Sequence, residues 1–273
     1  MSVLDTPQLY HLEQLTDVHS KLLGRDTIVD IYVPQAFEKA NTPYPLLILN
    51  DGQDGKAIEL KECLEDLSKS NSIREIIVVA VHAGDRLQEY GVAAQKDYKG
   101  RGSKAKEYTR FIMTELVPYI HYRYPVSESK TNHAIAGFSM GGLSAVDIAW
   151  NNADYFGKAG AFSGSFWWRK RDTKSMFYTD KRDRLMHLQI RRGKFKPGLK
   201  FWFQTGTLDE FSDRNENGTI DSIDDTLDLI AELTKKGYRP FQDIQYYEIE
   251  GGKHNLETWR QALPEFLKWA FGR

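Results

Sequence analysis

The sequence has little of what marks a disulfide-stapled, strongly charged or membrane-spanning protein. Only one of its 273 residues, Cys63, is a cysteine, so no disulfide can form within the chain. Lys and Arg number 37 against 38 for Asp and Glu, a net charge of −1, so no global field attracts nucleic acid or an anionic membrane. The longest uninterrupted aliphatic run, residues 76–81, is far too short to cross a bilayer. We therefore expect neither nucleic acid nor membrane as a partner.

The first thirty residues also lack an apolar run of the signal-peptide type. Cys63 lies in an apparent helix, where a small core residue is expected, and the absence of a disulfide framework fits a reducing compartment. These features favour a cytoplasmic protein, although removal of a signal peptide would leave the same picture.

Short apolar runs alternate with helical patterns along the chain. Residues 10–20 and 27–33 predict an antiparallel hairpin. Further strands are predicted at residues 46–49, 76–81, 133–136, 158–162, 201–204 and 244–249, and helices at 58–67, 104–122, 143–150, 223–236 and 256–271. This order predicts one α/β domain over residues 1–273, with a mainly parallel sheet, helices on both faces and the hairpin as antiparallel edge. Residues 169–200 are predicted to be an irregular, basic and aromatic insertion that is either a solvated excursion or a cover for the active site.

The pentapeptide G-F-S-M-G at residues 137–141 is the most informative motif. It lies between an apparent strand and an apparent helix that begins near Gly142. A serine in such a turn projects at the carboxyl edge of an α/β sheet, where a nucleophile can meet its substrate. The motif therefore predicts Ser139 as nucleophile, against the alternative of a glycine-rich turn that only joins strand to helix.

A serine hydroxyl is a weak nucleophile, so the chain must supply a base and a group that orients the base. In hydrolases with this motif the order along the chain is serine, acid, histidine. Of the seven histidines, five precede Ser139 and His187 falls in the irregular insertion, which leaves His254, just past the last strand. The acid is expected in the loop after residues 201–204. Asp209 is favoured because it is nearest the strand end; Glu210, Asp213 and a dyad without an essential acid are the alternatives.

Two backbone N–H groups should stabilise the negative oxygen of a tetrahedral intermediate. One is predicted at Met140, directly after the nucleophile, and the other at Gln53 in the turn of residues 50–55. The alternative for the second segment is an ordinary glycine-rich connection. His82, directly after the next strand, could line the same edge, but a structural role is favoured for it.

Six segments together resemble the esterase-type α/β-hydrolases, which include S-formylglutathione hydrolases, feruloyl esterases, mycolyltransferases and enterochelin-type siderophore esterases. They are L-N-D-G-Q at 49–53, R-L-Q-E-Y at 86–90, the helix at 108–124, G-F-S-M-G-G at 137–142, G-T-L-D at 206–209 and H-N-L-E-T-W at 254–259. The resemblance spans nearly the whole chain. It implies the α/β-hydrolase fold and no organic cofactor.

Residue by residue, the resemblance implies Ser139 as nucleophile, His254 as base, Asp209 as acid, and the Gln53 and Met140 amides as oxyanion donors. These assignments agree with the reading of the motifs. Residues 86–90 resemble the family's loop that borders the pocket, and an Arg86–Glu89 pair that pins the loop is the alternative role for those two side chains.

The predicted activity is hydrolysis of a small-molecule carboxylic ester, of a carbohydrate or aromatic alcohol, through an acyl-enzyme on Ser139. Trp167 and Trp168 either wall the pocket or belong to the core. The basic residues 169–171 beside them leave a siderophore ester open, and thioester or acyl-transfer chemistry would use the same triad. A non-catalytic binding protein on a hydrolase fold is the rival from another class.

Residues 213–224 match the twelve-residue Ca²⁺ loop of EF-hands and resemble its dockerin variant, which ends in Asp. The predicted ligands are Asp213, Asn215, Asn217, Thr219 through its carbonyl, Asp221 and Asp224. Asp224 replaces the usual Glu and no incoming helix is evident, so a metal-free turn is the alternative. A bound Ca²⁺ would be structural and would order the segment that presents Asp209.

Overall fold

An eight-stranded sheet forms the centre of the molecule. The computed structural model describes residues 8–35, 37 and 42–273. The strands are β1 Tyr10–Ser20, β2 Arg25–Pro34, β3 Leu46–Asn50, β4 Ile77–Val81, β5 His133–Phe138, β6 Lys158–Phe162, β7 Lys200–Leu208 and β8 Ile244–Lys253. Their order across the sheet is β1-β2-β4-β3-β5-β6-β7-β8.

The hairpin and the parallel part of the sheet are both as predicted. β1 pairs antiparallel with β2, and β2 pairs antiparallel with β4. All remaining neighbours, from β4 through β3 to β8, are parallel. Every residue of β3, β4 and β5 is buried, as expected for parallel strands covered on both faces.

Helices cover the two faces of the sheet. They are α1 Leu60–Lys69, α2 Arg86–Glu89, α3 Ala105–Phe111, α4 Val117–Arg123, α5 Met140–Asn151, α6 Asp180–Asp183, α7 Leu185–Arg192, α8 Asp221–Lys235 and α9 Leu256–Phe271. Leu64 of α1 and Phe266 of α9 belong to one buried cluster, and the second cluster holds residues of α3, α5 and α8. The predicted helix at 104–122 is observed as α3 and α4 joined by the π-helical turn Ile112–Leu116.

The prediction that residues 169–200 are irregular is wrong for the second half of this segment, which forms α6 and α7. Leu185, Met186 and Ile190 turn one apolar face of α7 into the core. The buried His187 between these positions, and the arginines at 184, 191 and 192 on either side of them, hide the helical period in the sequence.

Within residues 8–35, 37 and 42–273, no helix combines the length and hydrophobicity that crossing a bilayer requires. Cys63 is half-buried against the core on α1, and burial raises the pKa of its thiol to about 12. His82 Nε2 lies 2.8 Å from Asp30 Oδ2 on β2, a contact that supports a structural role for this histidine.

Candidate active site

The three predicted triad residues stand at one edge of the sheet, each directly after a strand. Ser139 follows β5, Asp209 follows β7 and His254 follows β8. These strands run parallel, so their carboxyl ends meet at the same edge. β7 and β8 extend further than the apolar runs predict, and this extension places Asp209 and His254 at the strand ends.

Ser139 occupies a strained turn. Its backbone angles are φ 54° and ψ −116°, outside the regions that a side chain normally permits, and it caps the N-terminus of α5. The flanking glycines are required by close approach: a Cβ on Gly137 would lie 2.6 Å from the Gly141 carbonyl, and a Cβ on Gly141 would lie 2.5 Å from Asp51 Oδ2. The turn thereby fixes where the Ser139 side chain projects.

Two adjoining cavities share His254. The larger is an open cleft of about 590 Å³ lined by Gln53, Arg86, Ser139, His254 and Trp259 among others. The smaller, of about 220 Å³, is lined by Trp167, Asp209, Glu210 and His254 among others. His254 therefore borders both the cavity that contains the predicted nucleophile and the cavity that contains the predicted acid.

Asp209 is buried, and both of its carboxylate oxygens accept hydrogen bonds. Ser163 Oγ donates to Oδ1 over 3.1 Å, and the Gly206 N–H donates to Oδ2 over 3.0 Å. Burial raises the pKa of Asp209, while these two donors and the nearby His254 oppose the shift. Such donors favour the ionised carboxylate that a catalytic imidazole needs beside it.

Burial lowers the pKa of His254, against the opposing effect of Asp209 and with a smaller lowering effect from Arg86. A neutral imidazole can accept a proton, so this environment suits a base. Among the hydrogen bonds of the described residues, none joins His254 to Ser139 or Asp209. Ser139 Oγ instead lies 3.2 Å from Ser165 Oγ. Catalytic hydrogen bonds are often long in a free enzyme and shorten only with substrate bound.

One predicted oxyanion donor, Gln53, lines the cleft, and the other, Met140, directly follows Ser139. Met140 is the first residue of α5, and Gln53 lies in a short 3₁₀ turn, Gly52–Asp54, after β3. In the part of the chain that the structure describes, neither backbone N–H donates a hydrogen bond, so both are free for a ligand. The Gln53 side chain fixes the turn: its Oε1 accepts from the Ala83 N–H over 3.2 Å and its Nε2 donates to Asp51.

Arg86 ties this turn to the nucleophile elbow. It donates to both carboxylate oxygens of Asp51, over 2.8 and 3.1 Å, and to the Phe138 carbonyl, over 3.1 Å. The Arg86–Glu89 pair considered from sequence is wrong, because Glu89 is buried against Arg25 instead, with two bonds of 2.7 Å. The motif at 86–90 therefore forms two separate ion pairs, Arg86 with the Asp51 carboxylate and Glu89 with the Arg25 guanidinium.

Trp167 and Trp168 have different surroundings. Trp168 is fully buried in the core, whereas Trp167 is partly exposed and lines the smaller cavity. Both alternatives considered from sequence therefore apply, one to each tryptophan. The guanidinium of Arg101 lies 4.8 Å from the Trp167 ring centre, which fixes the orientation of that ring.

The structure gives no support to the predicted metal site in the loop at residues 213–224. Over the residues that the structure describes, no group of three or more His, Cys, Asp or Glu side chains is placed to hold a metal ion. Asp221 is turned to Arg214, with 2.9 Å between Oδ1 and the guanidinium. The side-chain amides of Asn215 and Asn217 both donate to Asp224 Oδ2 over 2.9 Å. Internal hydrogen bonds and an arginine thus satisfy oxygens that were predicted to bind Ca²⁺.

Comparisons with known proteins agree with this geometry. The model of the Esterase family, described as "Putative esterase", matches residues 20–270. A relative from Bacillus subtilis (strain 168), named uncharacterized protein YbbA, is 22% identical over 248 residues, which cover 89% of this chain and 92% of that protein.

Solved structures show the same fold. A ferulic acid esterase has a TM-score of 0.71 at 20% identity and covers 96% of each chain. The enterochelin esterase of Shigella flexneri has a TM-score of 0.73 at 20% identity and covers 97% of this chain and 60% of its own. The α/β-hydrolase fold implied by the sequence motifs is confirmed.

Proposed function

This chain belongs to the Esterase family of carboxylic ester hydrolases, and from that premise we propose that it cleaves its ester through a Ser139–His254–Asp209 triad. The observation that carries the proposal is the shared position of His254. Its ring borders the cleft that contains the strained Ser139 elbow and the cavity that contains Asp209. This position supports the order of nucleophile, base and acid that acyl transfer requires.

The proposed reaction begins when Ser139 Oγ attacks the ester carbonyl and His254 takes the hydroxyl proton. The negative oxygen of the tetrahedral intermediate accepts hydrogen bonds from the Gln53 and Met140 amides, which have no other acceptor among the described residues. His254 then returns the proton to the departing alcohol, which leaves an acyl-enzyme. Water activated by His254 releases the acid. Asp209 stays ionised and holds the imidazole throughout.

The substrate is proposed to be a small-molecule ester of a carbohydrate or aromatic alcohol. The cleft is open and mixed in character, with the aromatic Trp259 beside the charged Arg86 and the polar Gln53. Flat rings pack on an aromatic wall, and hydroxyl groups find donors on the polar side. Turnover of an acetylated sugar and of a p-nitrophenyl ester, compared by kcat/KM, ranks these two classes, and methyl ferulate tests an ester whose aromatic ring is in the acid part.

Labelling by a fluorophosphonate tests the proposed nucleophile. One equivalent should attach to wild-type protein, and Ser139→Ala should remove both the labelling and the hydrolysis of p-nitrophenyl esters. Ser129→Ala, at an exposed serine before β5 and away from the cleft, is the matched control and should label fully. Residual turnover above roughly a tenth of wild type in Ser139→Ala would refute the assignment, because loss of a triad serine costs on the order of a thousandfold or more. Absence of labelling in the wild type would favour a binding protein.

Calcium binding by residues 213–224 stays a prediction. Asp213, Asn215, Asn217 and Asp224 still lie in one hydrogen-bonded loop around Gly218, whose φ is 85°. Calorimetry on chelator-stripped protein decides it: bound Ca²⁺ should raise the melting temperature by mass action. Asp213→Ala combined with Asp221→Ala should remove the binding and the shift. No heat at millimolar Ca²⁺ would exclude the site.

A further inference from the structure

Ser163 stands in a backbone conformation that favours glycine. It follows β6, its φ is 45°, and its exposed fraction is 2%. A non-glycine residue in this left-handed region is strained. Glycine would therefore adopt this backbone conformation with less strain than serine. The feature that serine adds at this position is its hydroxyl group.

The hydroxyl of Ser163 joins two elements that are far apart in sequence. Trp259 Nε1 lies 3.0 Å from Ser163 Oγ, and Ser163 Oγ lies 3.1 Å from Asp209 Oδ1. An indole N–H can only donate, so Ser163 Oγ is the acceptor of the first bond. Its own proton is then free for the carboxylate, which can only accept when it is ionised. The chain of bonds thus has one direction, from Trp259 through Ser163 to Asp209.

These two hydrogen bonds complete the support of the proposed triad acid, Asp209. Asp209 Oδ2 is already held by the Gly206 N–H over 3.0 Å, so the Ser163 bond fixes the second oxygen. A carboxylate held at both oxygens cannot rotate away from His254. Trp259 also contacts the base directly, because its ring centre lies 5.2 Å from that of His254 at an interplanar angle of 80°.

We propose that Ser163 is a positioning residue for the triad acid, with Trp259 setting the direction of its hydroxyl. The inference rests on the proposed function, since it concerns the acid of that triad. Ser163 acts through Asp209, and Trp259 couples α9 to both the acid and the base. The serine has no recognisable motif of its own, which is why the sequence reading missed it.

Ser163→Gly is the decisive variant, because it removes the hydroxyl and relieves the strained backbone together. A hydrogen bond to a charged group is lost, so kcat should fall about tenfold to a hundredfold. KM should stay within about twofold, because substrate contacts are untouched. The acid limb of the pH profile of kcat/KM, which reports His254, should move to higher pH, since an Asp209 carboxylate that loses a donor is a stronger anionic partner and raises the pKa of the imidazole. The melting temperature should stay within about 5 °C of wild type.

Asn71→Gly is the matched control. Asn71 also has a positive φ, 56°, but it is exposed in the turn after α1 and makes no contact with the triad. Asn71→Gly also replaces a residue of positive φ by glycine, but it removes no side chain that is hydrogen-bonded to Asp209. Its kcat and its pH profile should equal those of wild type.

Trp259→Phe provides a second, independent variant. It keeps an aromatic ring beside Phe138 and His254 but removes the indole N–H. The expected change has the same direction as that of Ser163→Gly and is smaller. The double variant should be little worse than Ser163→Gly alone, because both changes interrupt one chain of hydrogen bonds.

The inference is overturned if Ser163→Gly folds, keeps kcat within about twofold of wild type and leaves the acid limb unmoved. It is also overturned if Ser163→Gly and Trp259→Phe lower kcat by independent, multiplying factors. The labelling of Ser139 separates this failure from failure of the proposed function. Labelled wild-type protein with an unaffected Ser163→Gly variant removes only the role of Ser163, whereas absence of Ser139 labelling removes the triad and the inference together.

Discussion

Asp209 and Glu210 are neighbouring carboxyl groups with different surroundings. Asp209 accepts hydrogen bonds at both oxygens, from Ser163 and Gly206. Glu210 lines the same small cavity, but burial, with added repulsion from Asp221, raises its pKa to about 7. At pH 7 about half of Glu210 is therefore protonated, and a protonated carboxyl is a poor partner for an imidazolium. This difference favours Asp209 as the triad acid.

Substitution of the two carboxyl groups tests this choice. Asp209→Asn preserves volume but leaves His254 without its anionic partner, so kcat should fall about a thousandfold or more. Glu210→Gln, the matched control one residue away, should stay within about threefold of wild type. Both are measured with p-nitrophenyl esters at pH 8. The reverse order of activity would exclude Asp209, and near-normal activity in both would indicate Asp213 or a dyad.

The pH dependence of hydrolysis should report His254. Burial lowers its pKa from the usual 6.5, although Asp209 opposes the shift. The base acts when it is unprotonated, so kcat/KM should rise with pH and reach half its plateau below pH 6.5. A substrate without ionisable groups keeps the profile free of its own titration. A midpoint above pH 7 would contradict the direction given by burial.

At the scale of elements, Arg86 holds the turn after β3, which carries the proposed oxyanion donor Gln53, against the turn that carries the proposed nucleophile Ser139. Its guanidinium binds Asp51, which is 1% exposed, and the Phe138 carbonyl at the end of β5. Asn50 adds a second link, because its side-chain amide donates to the Gly141 carbonyl over 2.8 Å and its Oδ1 accepts from Tyr108. The β3 turn and the start of α5 are thus fixed to each other by side chains from other elements.

Replacement of Arg86 should disturb both geometry and charge. Arg86→Met leaves the buried Asp51 carboxylate without its cation, so kcat/KM should fall tenfold or more and stability by about 1–3 kcal/mol, reduced because Arg86 is 36% exposed. Loss of the nearby positive charge should also move the acid limb to higher pH, since Arg86 lowers the pKa of His254. Arg86→Lys keeps the charge and should leave the acid limb in place while still losing kcat. Equal pH profiles for the Met and Lys variants would contradict this division.

A second set of ion pairs joins Arg184, the residue directly before α7, to α8. Arg184, whose side chain is 5% exposed, donates to Asp225 Oδ1 over 2.6 Å and to Asp228 Oδ2 over 2.5 Å. Arg214 also reaches Asp225, over 2.7 Å. Asp225 is itself buried, so its charge depends on these two arginines. The network anchors both the insertion and the loop that follows Asp209.

Arg184→Met should therefore destabilise the protein by about 3 kcal/mol, because one cation is removed from a buried pair. Arg192→Met, at the exposed end of α7, the helix that Arg184 directly precedes, is the control and should change stability by less than about 0.5 kcal/mol. Chemical denaturation measures both. Equal midpoints would show that Asp225 does not depend on Arg184.

The strands and the elbow were predictable because their signals are local. β6 and α9 have the predicted bounds, since short apolar runs and helical periods lie within one stretch of chain. The supporting contacts have no local signal. Ser163 and Asp209 are 46 residues apart, Arg86 and Asp51 are 35 apart, and Arg25 and Glu89 are 64 apart. Such pairs form only when the sheet brings strand ends together, so a single sequence contains no pattern that predicts them.

At the scale of the whole molecule, all eight strands, from β1 to β8, belong to one hydrogen-bonded sheet. β1 and β8 form its two edges, and the fully buried strands β3, β4 and β5 lie between them. The C-terminus also returns to the α1 side, where the Arg74 N–H donates to the Phe271 carbonyl over 3.1 Å. Both buried clusters draw on strands from the two halves of the chain. We therefore propose that the chain is one cooperative domain.

Calorimetry of two core variants tests that proposal. Wild-type protein should unfold in a single transition, with an enthalpy on the order of 190 kcal/mol near 60 °C if each of its 273 residues contributes about 0.7 kcal/mol. Ile31→Ala in β2 and Phe203→Ala in β7 each empty a fully buried position and should each cost about 2–5 kcal/mol. In one domain, either change lowers the whole transition, and loss of esterase activity coincides with loss of secondary structure. In two domains, each variant would shift only its own part of the heat-capacity curve. Because β2 and β7 lie on opposite sides of the central strands, a split transition in either variant would place a domain boundary within the sheet.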